Sequence, residues 1–264
     1  MLMVLSPAKK LDFAPPPAAV ALTRPELTRD VAELALVTRK LRPTDLKRLM
    51  SISDALAVLN HRRFQSFDPE SEDGVQAVFA FAGDVYDGLR ARTLDRKALA
   101  WAQERLRILS GLYGILRPLD ALQPYRLEMG TRLKTRRGSS LYAFWKTPIA
   151  EALNRATEDQ ADPTLVNLAS QEYFGAVDTG ALRVPVVTCH FKDYRPGEAP
   201  RALMLFAKRA RGMMARYAID HRIERARDLR AFDTEGYAFD AALSNETDWV
   251  FTRPQPPLKN ATTP

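Results

Sequence analysis

Two short, uninterrupted apolar runs do most to limit how this chain can fold. Met1-Leu2-Met3-Val4-Leu5 is the first, and Leu165-Val166-Asn167-Leu168 lies far downstream of it. The first has neither the length of a helix nor the polar alternation of a half-exposed strand. It reads as a strand covered on both faces, ending at Ser6-Pro7, and the second is its counterpart candidate. Pro15-Pro16-Pro17 forms an extended connector. Helical spacing then begins near Pro25, with Leu27, Val31, Leu34 and Leu41 in phase, and recurs at about 44–50, 54–65, 95–107 and 144–157. In the second half, residues 184–191 and 202–206 are β-rich and flank Arg195-Pro196-Gly197-Glu198, which predicts a hairpin. A long helix is expected at about 206–226, and Phe232, Tyr237, Phe239 and Trp249-Val250-Phe251 predict closing strands.

The fold class expected is α/β, mixed α+β: one compact unit over residues 1–253 with a central mixed sheet and surrounding helices. Residues 44–65 form a helix-hairpin-helix-like element, and 254–264 a disordered tail. With 46% hydrophobic residues a core is available and bulk disorder is excluded. No apolar run approaches a membrane span, and Lys9-Lys10 follow the first apolar stretch instead of preceding it, so a cytoplasmic protein is expected.

Charge is segregated. The chain carries 39 Lys and Arg against 32 Asp and Glu, a net +7. Residues 105–137 hold eight basic and two acidic side chains, and 201–230 hold nine and three, while 231–250 hold five acids and no base. A polyanion responds to such local fields more than to the total. Cys189 is the single cysteine, which excludes an internal disulfide. With three histidines and no ligand spacing, no metal and no cofactor are expected.

Four segments carry candidate chemistry. Residues 46–57 fit two short helices joined by Ser51-Ile52-Ser53, with Ala57 allowing close packing. Hairpin amides and a helix N-terminus of this kind point donors at a phosphate, although Asp54 opposes one and serines stand where glycines are usual. On the helix beginning near Phe206, Phe206, Ala210, Met213, Met214 and Tyr217 share an apolar arc. Lys208, Arg211 and Arg222 lie opposite it, Arg209 and Arg216 flank it, and Gly212 permits a close approach of a helix or a phosphate. Residues 109–130, with three glycines and two prolines among leucines, read as a buried loop. In it Arg117, Asp120, Arg126 and Glu128 form an ion network or line a cleft. Finally, the two apolar runs end in Ser6-Pro7-Ala8-Lys9 and Ser170-Gln171-Glu172-Tyr173. If the strands are parallel neighbours, Ser6, Lys9, Asn167, Ser170 and Glu172 converge at their C-terminal ends, where open α/β sheets bind ligands.

These residues support a statement of kinship. Over nearly its whole length the chain resembles the YaaA family of bacterial peroxide-stress proteins. The blocks that carry the likeness are Ser6-Pro7-Ala8-Lys9, Leu49-Met50-Ser51-Ile52-Ser53, Phe81-Ala82-Gly83-Asp84-Val85-Tyr86, residues 109–130, Asn167-Leu168-Ala169-Ser170, and Ala207-Lys208-Arg209-Ala210-Arg211-Gly212. Lys10 stands where the pattern has threonine. The resemblance implies a cytoplasmic protein that limits peroxide damage, is linked to lowering free intracellular iron, and has a helix-hairpin-helix element, a basic cleft and DNA binding. The expected partner is DNA, read with little sequence specificity by a monomer. Lys47, Arg48 and the Ser51, Ile52 and Ser53 amides would hold one strand, and Lys208, Arg211 and Arg216 would line the cleft with Ser6, Lys9, Arg117, Arg126, Asn167 and Ser170. The alternative is an enzyme acting on a nucleotide or nucleobase through Lys9, Arg126, Glu128 and Glu172.

Overall fold

The computed structural model describes residues 1–17 and 20–256. Its strands are β1 Leu2–Leu5, β2 Lys10–Leu11, β3 Val75–Gln76, β4 Phe81–Ala82, β5 Leu106–Ser110, β6 Gly114–Leu116, β7 Ala121–Leu122, β8 Leu165–Leu168, β9 Val186–Tyr194, β10 Ala238–Phe239 and β11 Asp248–Pro254. Its helices are α1 Thr28–Thr38, α2 Pro43–Met50, α3 Asp54–Ser66, α4 Ala77–Ala80, α5 Asp84–Leu89, α6 Arg96–Arg105, α7 Leu141–Thr157, α8 Gln171–Phe174 and α9 Met204–Asp220.

Seven strands form a mixed sheet in the order β10-β11-β9-β8-β1-β5-β6. The five inner strands are parallel, and β10 and β6 close the edges antiparallel. Every residue of β1, β5 and β8 is buried, as expected of parallel strands covered on both faces. The mixed α/β class expected from the sequence is therefore the one formed, with β1 and β8 as parallel neighbours paired Leu5 to Leu168. No helix among the described residues is long and apolar enough to cross a membrane.

Five local readings are corrected. Residues 202–206 form no strand: Arg201 makes a single bridge to Asp193 across the turn, and α9 begins at Met204. That helix stops at Asp220 instead of continuing to 226, because Arg222 takes a left-handed φ of 53° and the Ile223 amide donates back to the Ala218 carbonyl. The helix read at 95–107 ends at Arg105, and the chain then forms β5 and, after a turn, β6, within and beside the segment read as a buried loop. Phe232 and Tyr237 lie outside any strand, yet both are buried and pack their rings against Phe191. Two residues expected in the tail are placed in the sheet region instead: β11 runs through Pro254, and the Gln255 amide donates to the Tyr194 carbonyl at 2.7 Å. Residues 257–264 lie outside the described residues.

Two glycines set the position of the site. Gly88 on α5 and Gly212 on α9 face each other where these helices cross. A Cβ on Gly212 would stand 1.7 Å from the Val85 carbonyl oxygen, and one on Gly88 would stand 2.1 Å from that of Arg209. The helix backbones are thus in direct contact. Of the two uses the sequence allows for Gly212, helix packing is the one realised.

Candidate functional site

The ends of β1 and β8 turn into a cavity of about 290 Å³ whose lining includes Ser6, Lys9, Ser170, Glu172, Lys208 and Arg211. Register dictates the convergence. With Leu5 opposite Leu168, the next residues of each strand emerge side by side. The Ser170 amide donates to Ser6 Oγ at 2.8 Å, and the two hydroxyl oxygens lie 3.2 Å apart. Tyr86 on α5 donates its hydroxyl to the Ser6 carbonyl, fixing the strand end. The α5–α9 crossing then delivers Lys208 and Arg211, one turn apart on α9, to the opposite wall.

Lys9 joins this cavity to an ion cluster. Its Nζ lies 2.8 Å from Glu128 Oε2, and Arg126 Nη2 lies 2.8 Å from Glu128 Oε1. Burial alone would raise the Glu128 carboxyl, but the hydrogen bonds from Lys9 and Arg126 outweigh it and hold the group below its ordinary range. Glu172 accepts the Gly130 amide at 3.2 Å. The four residues of the enzymatic alternative are therefore close neighbours: Lys9 and Glu172 line the cavity, and Lys9, Arg126 and Glu128 share the adjoining depression with Tyr173.

Three residues expected in the cleft are committed elsewhere. Asn167 is buried within β8, where its Nδ2 donates to Thr188 Oγ1 and its Oδ1 accepts the Ala169 amide; it shapes the strand end without lining the cavity. Arg117 belongs to an internal network, with two hydrogen bonds from its guanidinium to the fully buried Asp120 and another to the Arg24 carbonyl. Arg216 is tied to Asp220 at 2.8 Å and to Thr93 Oγ1 at 2.5 Å, and borders a separate cavity with Tyr217 and His221. Arg211 differs from the reading of an open basic face in another way: it is partly buried, and its Nε has neither solvent contact nor a partner. Burial lowers its pKa. The nearby Cys189 thiol is buried and pushed up to about 12, so it is protonated and inert.

The 44–65 element forms a helical hairpin of α2 and α3. Ser51 takes the left-handed conformation usual for glycine, φ 51°, and Ile52 is buried beneath the turn. Ser53 caps α3 by accepting the Leu56 amide, and the fully buried Ala57 allows the close packing its size predicts. Lys47 is engaged 2.9 Å from Asp54, whereas Arg48 has only a long contact of 3.8 Å to Asp45.

Beside this hairpin runs a groove of about 650 Å³ that the sequence reading did not single out. Its floor is Val37, Leu41, Leu49 and Leu133, and its rim carries Lys40, Arg48, Arg132, Lys134 and Arg136 against one acid, Asp45. Lys40, Arg132, Lys134 and Arg136 are exposed and make no ion pair among the described residues. The segment is pinned by its neighbour: Arg137 pairs with Asp30 at 2.6 Å and with Glu33, and its guanidinium sits 4.5 Å over the Phe144 ring. The signal was present as strict alternation, with buried Thr131 and Leu133 between exposed Arg132 and Lys134, inside a segment noted only for its total charge.

Comparison with known proteins gives these sites a family. A family model described as peroxide stress protein YaaA matches residues 1–243. The chain belongs to the YaaA family of peroxide stress proteins. Among curated relatives, a UPF0246 protein of Caulobacter vibrioides is 66% identical over 256 residues, covering 97% of this chain and 100% of that one. A UPF0246 protein of Phenylobacterium zucineum is 63% identical over 97% of this chain and 96% of its own length, and one of Maricaulis maris is 52% identical over 97% of each. The YaaA match spans β1, the hairpin, the groove and α9, so all the sites above lie inside the family region.

Proposed function

We propose that this YaaA-family protein binds DNA through its phosphate backbone as its part in the peroxide stress response. The observation that carries the reading is the groove beside the α2–α3 hairpin, where five cations face a single carboxylate and four of the five have no ionic partner among the described residues. Backbone phosphates release condensed counterions when such side chains replace them, which favours binding without base readout. Arg48 is the residue of the helix-hairpin-helix pattern that contributes here. Lys47, held by Asp54, and Arg216, held by Asp220, are removed from the contact set. The link to free intracellular iron is indirect in this reading and acts through protection of the DNA on which iron and peroxide react. Anisotropy titrations of two unrelated duplexes test it: Arg132→Ala, Lys134→Ala and Arg136→Ala together should weaken both equally, with circular dichroism unchanged. Unaltered affinity in the folded triple variant removes the groove from the account.

A further inference from the structure

Among the described residues two arginines carry a buried Nε with no hydrogen-bond partner, Arg105 and Arg211, and of these Arg105 still pairs through Nη2 with Glu224 at 3.1 Å. Arg253, 4% exposed, is held by Asp193 at 2.7 Å and Glu235 at 3.0 Å. Arg107 donates to the Gln103 and Leu106 carbonyls, and Arg117 is locked to Asp120. Arg211 has no such partner. Its Nε is sealed from solvent without an acceptor, no carboxylate among the described residues lies within ion-pair distance, and the neighbouring group is the neutral Cys189 thiol. Leaving a cation uncompensated in a partly buried position costs stability. Such a cost persists where a ligand supplies the missing partner.

The rest of the cavity points to the same ligand. Ser170 precedes α8 yet its side chain caps no helix amide. Its oxygen accepts from Ser6, and its own proton has no acceptor among the described residues. Lys208, three residues before Arg211 on α9, makes no ion pair among the described residues and lines the same wall. Lys9 is paired with Glu128, which Arg126 also holds; with that adjoining cluster included, Lys9, Lys10, Arg126, Lys208 and Arg211 face Asp84, Glu128 and Glu172, which leaves two positive charges in excess. Glu172 is held back by the Gly130 amide.

We propose that this cavity is a binding site for a phosphomonoester, the terminal phosphate of a nucleotide or of a DNA 5′ end, received by Arg211, Lys208 and the Ser6–Ser170 hydroxyl pair. A monoester has a second pKa of about 6, so near neutral pH it is largely a dianion with three acceptor oxygens. Two excess charges, a guanidinium fork and a free hydroxyl donor match it better than they match a carboxylate or a singly charged diester. At about 290 Å³ the cavity receives a terminal group, not an uninterrupted duplex. It shares no lining residue with the basic groove, so the inference stands whether or not that groove binds DNA.

The test pairs each phosphate-bearing probe with its phosphate-free counterpart. Calorimetric titration compares adenosine monophosphate with adenosine, and anisotropy compares a 5′-phosphorylated oligonucleotide with the same strand ending in a hydroxyl. The phosphate should tighten binding roughly 10- to 100-fold in at least one pair, the worth of a charge-assisted hydrogen bond. A gain only with the nucleotide makes a free metabolite the source; a gain only with the oligonucleotide makes a strand end the source. Arg211→Met should abolish the gain and, without ligand, raise the melting temperature, because an uncompensated charge has been removed. Arg211→Lys keeps the charge but not the fork, and should retain only part of the gain. Equal binding of both members in both pairs overturns the proposal. So does a phosphate gain that survives Arg211→Met, or a melting temperature that falls in that variant, which would make the guanidinium a structural group.

Discussion

Replacing Gly212 by alanine sets two effects of opposite sign against each other. In an exposed helix the change gains about 1 kcal/mol of helix propensity. Here the new methyl would lie 1.7 Å from the Val85 carbonyl oxygen and 2.8 Å from the Leu89 amide nitrogen, both backbone atoms of α5. A carbon–oxygen contact needs about 3.3 Å, so the helices must part by roughly 1.5 Å at their crossing. That separation loosens Leu89, Met213 and Met214, all buried at the contact, and overpacking of this kind costs about 3 kcal/mol or more. The net expectation is a loss of about 2 kcal/mol or more. Urea unfolding followed by circular dichroism should show a lower midpoint with an unchanged slope. Gly88→Ala, whose methyl would meet the Arg209 carbonyl at 2.1 Å, should behave alike. The double variant should lose less than the sum, since one separation relieves both clashes. A Gly212→Ala protein as stable as the parent would refute the argument that backbone contact at this crossing places α9 and its two cavity-lining cations.

Other consequences concern single groups. Glu128 is held below its ordinary pKa, so its contribution to stability is present above about 4.3, the unfolded value, and is lost as pH falls through the lower folded value. Glu128→Gln should therefore be less stable at neutral pH and show a flatter acid limb, with the two curves converging toward low pH; parallel curves in pH-dependent urea titrations would contradict the Lys9–Glu128–Arg126 assignment. Cys189, with its pKa near 12, should resist iodoacetamide at pH 8 until the protein is unfolded, and mass spectrometry of the folded protein should find it unmodified.

What the sequence disclosed follows from how each element buries its residues. β1 and β8 were legible because strands covered on both faces are continuous apolar runs, and their adjacency gave the Ser6–Ser170 meeting. β5 and β6 were hidden because β5 follows α6 without a break and the intervening glycines resembled loop. The β-rich composition of 202–206 was overruled because α9 begins at Met204, with Met204 and Leu205 exposed on its first turn and its buried face starting at Ala207. Helical projection put Lys208 and Arg211 on one face of α9, and both line the same cavity, but projection ignores tertiary burial and so placed Arg211 on an open face. Arg216 borders a different cavity and is paired with Asp220, four residues on, a partner that helical spacing does allow one to foresee. Of the two readings open for Arg117, ion network or cleft, the network is formed, because Asp120, three residues on, turns the guanidinium inward.

The central claim, that the groove beside the α2–α3 hairpin holds DNA by its phosphates, is tested most directly by salt dependence. If Lys40, Arg48, Arg132, Lys134 and Arg136 each neutralise one phosphate, the slope of log affinity against log salt is about −4.5, and raising salt from about 50 to 200 mM weakens binding roughly 500-fold. Removing Arg132, Lys134 and Arg136 by alanine should reduce the slope to about −1.8 and the loss to roughly 12-fold, identically for unrelated duplexes. A folded triple variant that keeps the parental slope would contradict the claim.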